Sequence, residues 1–255
     1  MFKDNTIFEA PPPEALLWRY QDIPRYIDLL LKQQLFFSRA NRFEDPFEGK
    51  YLLQQKAGQL KEKAKESLGV PGEKEEVNVV EEVRQLAVQY ERKRSYVTVN
   101  SWHNNSTENY AMWRIYGQGT YGLAIQTNYQ RLKDAFQKTS KEIYIGKVNY
   151  YEVECDSKSY ENELMAFLHK RNIYAYENEV RCCYVLDENE NDFNWDEQDT
   201  YDGVFVNVDL ETLIERIYIS PYSPQWIRDI IAGLNDKFGI NKEIVHSTVF
   251  DTGDY

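Results

Sequence analysis

Two rhythms of apolar residues alternate along the chain: a period of two, and a spacing of three and four. ALLWRY (Ala15 to Tyr20) reads as a strand. DIPRYIDLLLKQQ then places Ile23, Tyr26, Ile27, Leu30 and Leu31 at helical spacing, with Asp22 as N-cap and Pro24 in the first turn. LFFSR predicts a short strand that ends in the turn-rich loop NRFEDPFEG. Two charged helices are expected over about 50–68 and 74–94, split by Val70-Pro71-Gly72 and peripheral to the core. SYVTVNSW (Ser95 to Trp102) alternates and is rich in β-branched residues, so it predicts a strand.

TENYAMWRIY predicts a short helix capped by Ser106 or Thr107, followed by a strand at YGLAIQT. A helix near 129–138, a long strand near 143–155 and an amphipathic helical segment, SYENELMAFLHKRN, come next. NEVRCCYVL predicts a strand and the acidic run after it a loop. The end reads strand (GVFVNV), strand (RIYIS), helix (PQWIRDIIAGLNDKFG) and strand (EIVHSTVF). No repeat or linker divides this order. It predicts one α+β domain over residues 1–255, with a mixed, largely antiparallel central sheet and flanking helices.

Charge narrows the function classes. The chain carries 42 acidic and 30 basic residues among 255, a net charge of −12, which repels phosphate backbones and argues against general nucleic-acid binding. Cys155, Cys182 and Cys183 make no disulfide framework, and the three histidines (His103, His169, His246) are far apart, so no metal site is expected. The N-terminus has no basic region followed by an apolar run, and no apolar stretch is of membrane-spanning length. A cytoplasmic protein is therefore expected.

The most specific chemistry lies in YENEVR, Tyr176 to Arg181. On a strand Glu177, Glu179 and Arg181 share one face, and Val180 and Cys182 the other. Two carboxylates about 7 Å apart on one pleat raise one pKa if buried, unless Arg181 holds them ionised. Such an arrangement suits a carboxylate that stabilises a cationic, oxocarbenium-like transition state; a polar strand face in water is the plainer alternative. Arg19, between Trp18 and Tyr20, offers a planar fork for phosphate, or else an edge arginine paired to an acid. Ser101 and Trp102 end a strand before a polar loop, a frequent binding position, although Ser101 could simply cap the turn. Met112, Trp113 and Tyr116 fall at helical spacing, as core or as site.

LWRYQDIPRYIDLLLKQQLFFSRANRFEDPFEG, NSWHNNSTENYAMWRIYGQGTYGLAIQ and YAYENEVRCCY resemble, in this order, the bacterial proteins catalogued as domain of unknown function 2971. Arg on a first strand, Ser on a middle strand and Glu-x-Glu on a late one are also similar to the arginine-type ADP-ribosyltransferases. That resemblance implies an ADP-ribosyltransferase-like fold, an NAD cofactor and a macromolecular acceptor, in a toxin or defence effector. It implies that Arg19 holds the pyrophosphate, Ser101 supports the nicotinamide-side ribose, Glu179 is catalytic and Glu177 orients the acceptor. Tyr20, Trp102, Trp113 and Arg181 complete the expected cofactor site. The middle motif is Asn100-Ser101-Trp102, where that superfamily usually has Ser-Thr-Ser. The transferase reading requires Arg19, Ser101 and Glu179 to meet in one pocket, with Arg19 and Glu179 on the same side of the sheet. A non-catalytic nucleotide- or protein-binding module is the alternative.

Overall fold

The computed structural model describes residues 8–50, 57–60, 62, 73–117, 119–152, 163–186 and 202–250. Strand β1 (Leu16–Asp22) hands over directly to helix α1 (Ile23–Lys32), because Asp22 Oδ1 accepts the Arg25 amide and Pro24 needs no donor partner there. Gln33 turns left-handed and releases the chain into β2 (Gln34–Arg39). Helix α2 (Glu73–Tyr96) runs into β3 (Val97–Asn104), so the helix takes the first two residues of the expected strand. Helix α3 (Tyr110–Tyr116) is capped by Asn109, whose side chain accepts from the amides of Ala111 and Met112. Neither Ser106 nor Thr107 caps it; the helix simply starts later than the pattern suggested.

Strand β4 (Gly122–Asn128) and helix α4 (Tyr129–Ala135) follow as expected. The long strand does not form. Two short ones, β5 (Tyr144–Lys147) and β6 (Asn149–Tyr151), stand there instead, and β6 pairs in parallel with β7 (His169–Arg171) in a small separate sheet. The described part of the amphipathic segment is no α-helix: Glu163–Leu168 is a 3-10 helix that buries Met165, Phe167 and Leu168. Strands β8 (Glu179–Val185) and β9 (Gly203–Asn207), helix α5 (Leu210–Leu213), strand β10 (Arg216–Ile219), helix α6 (Trp226–Phe238) and strand β11 (Glu243–His246) complete the order. The acidic loop after β8 and the first of the two charged helices lie almost wholly outside the described residues.

The fold is thus mixed α/β around an open, largely antiparallel nine-stranded sheet, with β10–β11 its parallel pair. One face carries Leu17, Leu35, Phe37, Trp102, Leu123, Ile125, Val180 and Cys182 against Tyr26, Leu30, Leu132 and Ile231 of the helices. On the other face two smaller cores stand apart. Trp18, Tyr20, Met112 and Trp113 form one, and Tyr90, Val97, Val99, Phe167 and Cys183 form the other.

The sheet forks at β3. On one edge β3 pairs with β8 along its whole length. On the other, β1 pairs only at Asn104 and His103, and β2 only at Val99 and Thr98. Asn100, Ser101 and Trp102 therefore face a gap between diverging strands. Side chains bridge it: Arg19 Nη1 donates to the Ser101 carbonyl at 3.0 Å, and Asn100 Nδ2 to the Phe36 carbonyl at 2.8 Å. Trp102 Nε1 in turn donates to Asn100 Oδ1 at 2.7 Å.

Candidate active site

Between the two smaller cores a cavity of about 860 Å³ opens over the fork, within the usual range for small-molecule sites. Glu177, Glu179, Arg181, Lys170, Ser101 and His103 line it, with rings from Tyr20, Phe36, Trp102, Tyr116 and Tyr176. Glu177 is not on the strand. It closes a 3-10 helix (Asn172–Glu177), and Asn178 turns left-handed at φ 39° before β8 begins at Glu179. The two carboxylates still meet, because this tight turn swings Glu177 back over the start of β8. The alternation expected on β8 itself holds: Arg181 and Glu179 face the cavity while Val180 and Cys182 enter the main core.

Glu179 is buried and densely held. Its oxygens accept Arg181 Nε at 2.8 Å, Arg181 Nη2 at 3.1 Å and Lys170 Nζ at 2.8 Å. Its backbone amide donates to the Tyr150 hydroxyl at 2.8 Å. Burial pushes this carboxyl up, but Arg181 and Lys170 outweigh it and hold it well below the usual carboxylate range. Glu177 has the opposite fate. Burial, then the hydrogen bond and charge of Glu179, push it up to about 7, against the pull of Lys170. Tyr116 donates its hydroxyl to Glu177 Oε1 at 2.8 Å, and Lys170 reaches Oε2. One carboxyl is thus a fixed anion, and its neighbour exchanges a proton near neutrality.

Behind the pair, Arg181 Nη1 reaches Glu48 Oε1 at 2.5 Å and the Phe167 carbonyl at 2.6 Å. Arg171 holds Asp45 through Nη2 at 2.8 Å and Nε at 3.2 Å. The loop NRFEDPFEG is therefore a wall of the site. Gly49 can end it because its φ is +73°, and a Cβ there would stand 2.5 Å from Phe167 Cε1. His103 pairs opposite Glu179 in the sheet and donates Nδ1–H to the Glu177 carbonyl at 2.5 Å. Burial holds its pKa below the ordinary histidine value.

Of the expected site residues, Arg19, Tyr20, Ser101, Trp102, Glu177, Glu179 and Arg181 line this cavity. Trp113 does not. It is fully buried, packs edge-on to Tyr20 at 4.9 Å and donates Nε1–H to Glu108, so it is core. The requirement for a shared face also fails. Arg19 neighbours Trp18, which pairs with His103, which pairs with Glu179, so Arg19 leaves β1 on the opposite face. It reaches the cavity through the fork, where no strand separates the faces. Arg19 and Arg25 have no carboxylate partner among the described residues, and burial lowers Arg19 to about 10. Nothing in the sequence pattern singled out Glu48, Lys170 or Tyr150, and Tyr116 stood only in a helical stripe that could be core or site. For Glu48 a signal existed in the paired acids of the DPFE turn.

Among the described residues no group of His, Cys, Asp and Glu is placed to hold a metal ion. No helix among them is long and apolar enough to cross a membrane. Compared with known protein families, curated proteins and solved structures, the chain matches none.

Proposed function

We propose that the cavity binds a nucleotide and that Glu177 performs acid–base chemistry on it, in an NAD-dependent transfer of ADP-ribose. The site departs from that of the arginine-type transferases, because Arg19 reaches the cavity through the fork from the face opposite Glu179. The observation that carries this reading is Glu177: a buried carboxyl tuned near neutrality beside an ionised partner, at an aromatic cavity. The other end of that cavity offers Arg19 and Arg25, cations that no described carboxylate neutralises, and these suit phosphate. NAD would supply a glycosidic bond whose electrons leave with nicotinamide, so positive charge develops on the ribose carbon. Tyr116 and Tyr176 flank the acceptor side, and ionised Glu177 takes the proton that the acceptor loses as it bonds to that carbon. Glu179 keeps the local potential negative. These roles are the reverse of those the transferase resemblance implies: Glu177 moves the proton, and Glu179 is the fixed charge.

A second reading, a non-catalytic nucleotide-binding module, draws on two observations. The oxygens of Glu179 already accept three charged donors, which leaves little of its charge for a ribosyl cation. Arg19 is in part a strut of the fork. Chromatographic assay of nicotinamide after incubation with NAD separates the two. Release by wild type, reduced ~10²–10⁴-fold in Glu177→Gln, is expected for the enzyme. Calorimetric binding of NAD without any release would establish the module instead.

A further inference from the structure

Five charged groups meet in the buried cluster: Lys170 and Arg181 against Glu48, Glu177 and Glu179. Glu48 and Arg181 are each 1% exposed at the side chain, so water does not screen this count. Two cations cannot neutralise three carboxylates, and a buried excess charge is removed most cheaply by binding one proton. The remaining groups packed against Glu177 do not change the balance. They are Tyr116 of α3, Tyr176 of its own turn, Tyr150 of β6 and His103 of β3, whose pKa burial lowers. The nearby cation Arg171 is taken by Asp45.

We propose that Glu48 is a positioning residue for the proton of the Glu177–Glu179 pair. By engaging the Nη1 edge of Arg181 it leaves that pair one cation short of full ionisation, so a proton stays on Glu177. Arg181 has two working edges: Nε and Nη2 hold Glu179, and Nη1 holds Glu48. With Glu48 made neutral, the whole charge of Arg181 falls on the pair. The pair can then ionise fully at a lower pH. A carboxylate brought by the loop before α2 thus sets the protonation of a group on the far side of Arg181.

The catalytic meaning of this device rests on the acid–base role proposed for Glu177, but its test does not. Full-length protein labelled with ¹³C at glutamate Cδ is titrated by NMR; the resonance lost in Glu177→Gln identifies Glu177. Its midpoint is expected near 7 in wild type, and lower by about one pH unit, tenfold in proton affinity, in Glu48→Gln. A purely structural Glu48 would change stability and leave the midpoint in place. An unmoved or raised midpoint in Glu48→Gln overturns the proposal. Should that variant not fold, Glu48→Asp, one methylene short of Arg181, must shift the midpoint downward by a smaller amount, and no movement overturns it equally. A shift without nicotinamide release sinks the transferase reading alone; release without a shift sinks the role of Glu48 alone.

Discussion

Arg181 grips both oxygens of Glu179, Nε to Oε2 at 2.8 Å and Nη2 to Oε1 at 3.1 Å, from two residues along the same strand. Neighbours two apart on a strand are roughly 7 Å apart at Cα, so this chelate needs the guanidinium folded back along β8. Glu48 and the Phe167 carbonyl hold it in that pose. Arg181→Ala would strand two buried carboxylates. The expected cost is about 3–5 kcal/mol in urea unfolding, the range for breaking a buried pair from one side. A loss below ~1 kcal/mol would show that the cluster is wet rather than buried.

Substitution of Glu177 should behave differently, with a pH dependence of fixed sign. Its folded pKa of about 7 lies above the unfolded value near 4.5. The folded state therefore holds the proton more tightly, and the stability this provides is complete below about pH 4.5. It is lost as pH rises through 7. Glu177→Gln has no such titration. Relative to wild type, the variant should gain about 2–3 kcal/mol between pH 5 and pH 8. Urea midpoints at the two pH values measure this, and a gap that does not widen with pH contradicts the raised pKa.

Much of this site was written in short-range pattern. The alternation that sent Val180 and Cys182 inward and Arg181 outward is local, and so is the Asp22 cap that joins β1 to α1. What pattern did not carry was long-range. The fork at β3 depends on where β1 and β2 stop pairing, which no single segment encodes. The Glu48–Arg181 contact spans residues far apart in the chain, and its loop advertised only a turn. Glu177 was misplaced because Asn178, a residue that tolerates left-handed backbone, ends the alternation one residue before β8.

The loop that supplies Glu48 has one position with no tolerance. Gly49 combines φ +73° with a Cβ position 2.5 Å from the Phe167 ring. Gly49→Ala should cost about 2–4 kcal/mol, from left-handed strain and overpacking together. The adjacent Glu48 and Phe167 tie the loop to Arg181, so the same variant should weaken nucleotide binding. Wild-type stability in Gly49→Ala would show that the loop can move off Phe167.

Helix α2 is expected from its charge to be peripheral along its length. Its exposed side agrees: Val80 is 67% exposed and Val88 64%. Its final turns do not. Tyr90 is 3% exposed and joins Ala40, Val97, Val99 and Phe167 in the core beneath the Glu48 loop. Arg94, also buried, donates to the Ala40 carbonyl and pairs with Glu91, which binds Lys50. Those turns fasten the stretch from Ala40 to Lys50, the wall that carries Asp45 and Glu48. Tyr90→Ala should therefore cost about 3 kcal/mol or more, while Val80→Ala and Val88→Ala should stay within about 0.5 kcal/mol of wild type. Because Tyr90 supports the wall rather than touching ligand, its variant should also lower the affinity for NAD in calorimetry. Equal, small effects at all three positions would return the whole helix to the periphery and leave the Glu48 wall to stand on the Asp45–Arg171 and Glu48–Arg181 ion pairs.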